Sequence, residues 1–187
     1  MAKQELVLIG GGVRSGKSAF ALSRARRFGE RLVFVATAEP LDDEMRERAQ
    51  RHQAERGEAF RTVECPRALV ACLRELDSAR SADGVVIDCL TLWISNLMVD
   101  GLASQEIDGR VVELAECLRA ASFASVIVSN EVGLGIVPDN AMARAFRDIT
   151  GRAHQTLAHV ASELYFGVMG QLLRLKPAPV ELVGAGF

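Results

Sequence analysis

Cysteine pairing is absent from this chain. Cys65, Cys72, Cys89 and Cys117 show no C-x-x-C spacing, so reduced, buried thiols are expected in preference to disulfides or a zinc site. Long hydrophobic runs are missing too. Met1-Ala2-Lys3-Gln4-Glu5 leads into only four strongly apolar residues before glycine, too few for a signal-peptide core. The longest apolar stretch, Val85 to Val99, is broken by Asp88 and Asn96 and is too short to span a bilayer. Neither sign of charge dominates. A net charge of −2 gives no general drive toward nucleic acid or an anionic membrane, so any anion site must be local. No repeat or low-complexity linker marks a boundary. These absences predict a cytoplasmic protein whose 187 residues form one domain, long enough to bury a full core. The Pro177–Phe187 tail, with its Pro and Gly, is open between an irregular segment and one packed on a neighbour.

What the chain does have is alternation. Short apolar runs at Leu6–Ile9, Leu32–Ala36, Val85–Asp88, Ser125–Ser129 and Leu164–Met169 read as strands, with Leu172–Leu175 as a last edge strand. Helical patterns lie between them, near residues 17–28, 42–57, 67–78, 91–99, 106–121 and 139–160. β-branched runs separated by helices predict an α/β fold with a mostly parallel sheet covered on both faces.

The segment Gly10-Gly11-Gly12-Val13-Arg14-Ser15-Gly16-Lys17-Ser18 follows the first apolar run and opens a helical stretch. Residues 11–18 match G-x-x-x-x-G-K-[ST] in the strand–loop–helix setting that a phosphate-binding P-loop needs. Glycines let the backbone approach phosphate oxygens with no Cβ in the way. The loop N–H groups converge on the phosphates at the positive end of a helix. Lys17 supplies an ammonium for the β- and γ-phosphates, and the Ser18 hydroxyl a ligand for Mg²⁺. The plainer alternative is a glycine-rich turn that binds nothing.

Other residues carry weaker signals. Asp88 ends an apolar strand, where an acid beside the P-loop strand would ligate Mg²⁺ directly or through water; the plainer alternative, less favoured beside a P-loop, is a cap on the next helix. Thr37, within Ala36-Thr37-Ala38, falls at the carboxyl end of the second strand, where ligands sit in open α/β sheets, or is an ordinary strand-to-loop threonine. Leu41, Met45, Ala49 and His52 share one helical stripe. His52 is thus either a structural histidine or a neutral imidazole able to attack phosphorus. Ser129 to Pro138 is either a ligand loop or a plain strand–helix connection. His154 and His159 lie in an amphipathic helix and read as structural or exposed.

Together these segments resemble one family, the bifunctional adenosylcobinamide kinase/adenosylcobinamide-phosphate guanylyltransferases of cobalamin synthesis. The carriers are G-G-x-R-S-G-K-S at 11–18, A-T at 36–37, L-D-D-E-M at 41–45 leading to His52, and E-C at 64–65. Further carriers are D-C-L-T at 88–91, S-N-E-V-G-L-G-I-V-P at 129–138 and R-x-F-R-D-I-x-G-R at 144–152. The resemblance implies a RecA-like P-loop NTPase that phosphorylates adenosylcobinamide with ATP or GTP. GMP from GTP would then pass through a guanylylated His52 to adenosylcobinamide phosphate. It places Gly11, Gly12, Val13, Arg14, Ser15, Gly16, Lys17 and Ser18 around the nucleotide. With them stand Ala36, Thr37, Ala38, Gln53, Ala54, Glu55, Arg56, Glu64 and Asp88. Mg²⁺ would sit on Ser18 and Asp88, and a homotrimer is implied. Two departures stand out: Arg51 precedes a single histidine where the family often has a pair, and Asp88 stands where some members have Glu. A kinase lacking guanylyl transfer, and a non-enzymatic nucleotide-dependent switch, are the competing readings; neither needs His52.

Overall fold

The computed structural model describes residues 5–39 and 58–185. In chain order the elements are β1 (Leu6–Gly11), α1 (Lys17–Ala25), β2 (Leu32–Ala36), β3 (Phe60–Glu64) and α2 (Leu69–Ser78). Next come β4 (Gly84–Asp88), α3 (Leu90–Val99), α4 (Ser104–Ala120) and β5 (Ala124–Val128). The last are α5 (Ala141–Val160), β6 (Glu163–Val168), β7 (Gln171–Lys176) and β8 (Glu181–Ala185). All eight strands join one sheet, in the order β3-β2-β4-β5-β1-β6-β7-β8. Neighbours from β3 to β6 run parallel, whereas β7 and β8 add antiparallel.

The uninterrupted apolar runs exist because the central strands are buried on both faces. Leu6, Leu8, Val85 and Ile87 point to one side, where α2, α3, α4 and α5 cover them. Val7, Ile9, Val86 and Val128 point to the other, against Ala21 and Ala25 of α1. Those two alanines are fully buried; their small side chains let α1 lie close to the sheet behind the glycine-rich loop. Arg24 fixes the far end of α1, pairing with Glu163 of β6 at 2.9 Å and with Glu5. Tyr165 donates to the same Glu163 at 2.7 Å, and burial together with that carboxylate pushes its hydroxyl up to about 12.

The expected mostly parallel, doubly covered sheet is the observed one, with four differences. β3 falls in a segment that reads as a connection, because Arg61, Thr62 and Glu64 dilute its apolar signal. The tail after Pro177 is not irregular throughout: β8 pairs with β7, so Leu172–Leu175 does not form the edge. α1 ends at Ala25, short of residue 28. Finally, β4 is not beside the P-loop strand, since β5 lies between them. The helix expected over 42–57 lies outside the described residues.

Candidate active site

The carboxyl ends of the parallel strands form a row. Glu64 is in register with Ala36, Ala36 with Asp88, Asp88 with Val128, and Val128 with Ile9. Strands stand about 4.8 Å apart, so Asp88 is about 10 Å and Glu64 roughly 19 Å from β1 along this edge. Asp88 can therefore share a phosphate-bound cation with the P-loop. Glu64 is too distant to touch the same phosphate, and could reach only the far end of a ligand laid along the row.

The loop between β1 and α1 is held by backbone geometry. Gly16, the residue before α1, has φ 86°, a left-handed conformation that favours glycine. Gly11 has φ 150°, and a Cβ there would lie 2.4 Å from the Gly167 carbonyl oxygen on β6. Both obstacles are backbone and neither can swing away. Gly11→Ala is thus expected to cost about 3 kcal/mol, a drop of about 6–12 °C in Tm, and to lose nucleotide binding. Gly12 has open space around it, so Gly12→Ala should melt close to wild type; equal melting of both variants would contradict this packing.

Lys17 is only 7% exposed, and its Nζ donates to the Gly12 carbonyl at 2.9 Å. The side chain thus folds back over the loop mouth. Its charge reaches β4 as well: burial and Asp88 push the Cys89 thiol up, and Lys17 pulls it the other way. Ser15 Oγ is buried with no hydrogen-bond partner, and lies against Gly167 of β6, where a Cβ would come within 2.8 Å of it. Among the described residues no group of three or more His, Cys, Asp or Glu side chains could cage a metal ion. A divalent cation here would use the Ser18 hydroxyl and the Asp88 carboxylate, with phosphate oxygens and water completing its shell. That donor set suits Mg²⁺ beside a nucleotide.

Thr37 sits at the predicted edge, but its hydroxyl is fully buried and committed. It donates to the Cys89 carbonyl and accepts from the Cys89 N–H, both at 2.7 Å. It thereby locks the end of β2 to the end of β4. The Ala36 carbonyl accepts from Cys65 N–H at 2.8 Å, and Ala36 and Ala38 are half-buried beside the edge. Asn96 braces the same corner, its Nδ2 donating to the carbonyls of Thr37 and Pro66 at 2.9 Å each. Sequence reasoning passed over Asn96; the available signal was a lone amide within the apolar run of α3. His52, Gln53, Ala54, Glu55 and Arg56 lie outside the described residues.

Beyond β5, Ser129 Oγ lies 2.7 Å from His154 Nε2 on α5, and His154 Nδ1 is 3.8 Å from Glu131. The order Ser–His–Glu imitates a hydrolytic triad, yet Ser129 is fully buried and no substrate can reach it. The network instead fastens α5 to the strand end beside the P-loop. Burial holds His154 below its ordinary value, and Glu131 pulls it partly back. A histidine buried neutral binds fewer protons folded than unfolded, so its stabilisation is present above about pH 6.5 and lost as pH falls. Between about pH 7.5 and about pH 5.5 the wild-type Tm should drop more than that of His154→Asn. Parallel drops would remove His154 as the cause.

No helix among the described residues is long and apolar enough to cross a membrane. The fold resembles that of the ATPase domain of G40P, which aligns over 97% of this chain and 80% of its own, with TM-score 0.56 and 16% identity. The bifunctional adenosylcobalamin biosynthesis protein CobP of Pseudomonas aeruginosa is 39% identical, across 92% of this chain and 98% of its own length. CobU of Salmonella typhimurium, given the same bifunctional description, is 35% identical across 91% and 99%. The family model for CobU, cobinamide kinase / cobinamide phosphate guanyltransferase, matches residues 7–175. With this loop, this sheet edge and these relatives, the chain belongs to the cobinamide kinase / cobinamide phosphate guanyltransferase family.

Proposed function

We propose that this enzyme phosphorylates the aminopropanol hydroxyl of adenosylcobinamide, and then transfers GMP from GTP to the product through a guanylylated His52. The observation that carries the reading is the Lys17 loop, with Ser18 beside it and Asp88 on the same sheet edge. In the first reaction the hydroxyl oxygen attacks the γ-phosphorus, the bond to the β–γ bridging oxygen breaks, and nucleoside diphosphate leaves. Lys17 and the loop amides stabilise the charge that builds on the phosphate oxygens.

In the second reaction an imidazole nitrogen of His52 attacks the α-phosphorus of GTP and pyrophosphate leaves. A phosphate oxygen of adenosylcobinamide phosphate then attacks the same phosphorus and frees the histidine. Splitting the transfer into two displacements lets one loop stabilise both. Mg²⁺, held by Ser18 and Asp88, would neutralise phosphate charge. Thr37 serves by aligning the Asp88–Cys89 turn, and Glu64 by meeting the nucleoside end of GTP. A homotrimer in the cytoplasm belongs to the same proposal, and light scattering on the purified protein checks the assembly.

The test is incubation with α-labelled GTP and Mg²⁺, expecting acid-labile, base-stable label on the protein. Cobinamide phosphorylation without any such label would leave only the kinase half.

A further inference from the structure

The segment 129–138 crosses from β5 to α5 at the sheet edge that carries the P-loop. Both of its ends are fastened. Glu131 N–H donates to the Gly11 carbonyl at 2.9 Å, and the Glu131 carboxylate accepts from Gly133 N–H. At the other end Arg144 donates to the carbonyls of Pro138 and Asp139 at 3.0 and 2.7 Å. Asn140 then caps α5 by accepting from Ala143 N–H at 2.7 Å.

Between these anchors Leu134, Ile136 and Val137 are 80%, 96% and 59% exposed. Val13, in the P-loop itself, is 75% exposed. A loop tied down at both ends, yet turning its large aliphatic side chains to water, gives up the stabilisation of burial. Apolar surface displayed in this way marks a site that something else covers. From Val132 to Val137 the sequence is Val-Gly-Leu-Gly-Ile-Val, without a charge, so the expected occupant is apolar and needs no ion pair there.

Position selects the occupant. An attacking hydroxyl must come within about 3–3.5 Å of the γ-phosphorus, so the body of the acceptor must rest on the rim of the P-loop. Glu131 ties this loop to Gly11, which makes the loop part of that rim. The acceptor of the proposed kinase reaction is a broad macrocycle with methyl-bearing faces and neutral amides at its edge, and it matches an uncharged aliphatic platform. We infer that Val13, Leu134, Ile136 and Val137 seat the apolar face of the corrinoid acceptor. This rests on the kinase reading above.

The test is steady-state phosphorylation with cobinamide and GTP varied separately, for wild type and the double variant Leu134→Ser/Ile136→Ser. Val99→Ser, at an exposed site on α3 (74% exposed), controls for the loss of surface aliphatic groups. Both loop side chains are exposed, so the double variant should fold. Its KM for cobinamide should rise about tenfold or more, its KM for GTP should stay within about twofold, and Val99→Ser should match wild type. An unmoved cobinamide KM in an active enzyme overturns this inference alone. A smaller assembly by light scattering with an unmoved KM also overturns it, assigning the loop to contact between copies. A wild type that binds nucleotide but phosphorylates no cobinamide overturns the functional reading, and this inference with it.

Discussion

Replacing Lys17 with methionine is expected to slow both phosphoryl and guanylyl transfer by about a thousandfold or more. The argument is positional. Lys17 Nζ is already drawn over the loop by its bond to the Gly12 carbonyl, and the ammonium is largely out of bulk water. A charge held in place where solvent is excluded stabilises developing phosphate charge without having to reorganise. Methionine keeps much of the apolar stem and removes the charge. Gly12 is exposed, so water can replace the lost donor at its carbonyl and the fold should survive. Circular dichroism and a thermal melt check the fold, and labelled GTP checks both transfers. If Lys17→Met still acquired label from α-labelled GTP at the wild-type rate, one shared P-loop could not serve both reactions.

His52→Ala should abolish the labelling outright, a loss on the order of 10⁶ for a missing nucleophile. Phosphorylation of cobinamide should continue, because a direct attack on the γ-phosphorus needs no nucleophile from the protein. A phosphorus–nitrogen bond would give a chemical signature, stable in base and lost in acid, that an ester on serine or threonine does not share. Label persisting in His52→Ala would transfer the role to another residue. Arg51 sharpens the experiment: it directly precedes His52, so no adjacent imidazole can substitute.

Much of the site was legible because its signals are local. A P-loop needs glycines, a lysine and a hydroxyl in fixed order within nine residues, all readable without a structure. Strands buried on both faces announce themselves as aliphatic runs, which is why β1, β2, β4 and β5 were found where they are. β3 and β8 were not, since an edge strand buries less and mixes in polar residues, as Arg61, Glu64 and Glu181 do. The tertiary role of Thr37 was equally hidden. Its position at the strand end was predictable, but its hydroxyl is satisfied by a residue 52 positions away.

By itself, then, the sequence determined the alternation of strands and helices and the glycine-rich P-loop motif. Each follows from neighbours along the chain, whose spacing sets burial and backbone shape. The tertiary structure decided who stands next to whom. It inserted β5 between β1 and β4, and so brought Glu131 rather than Asp88 against the P-loop backbone. It pressed Gly11 onto Gly167, and it joined His154 to Ser129. Those pairings depend on which long-range strand contacts bury the most apolar surface at once, a competition across the whole chain that no short window of residues records.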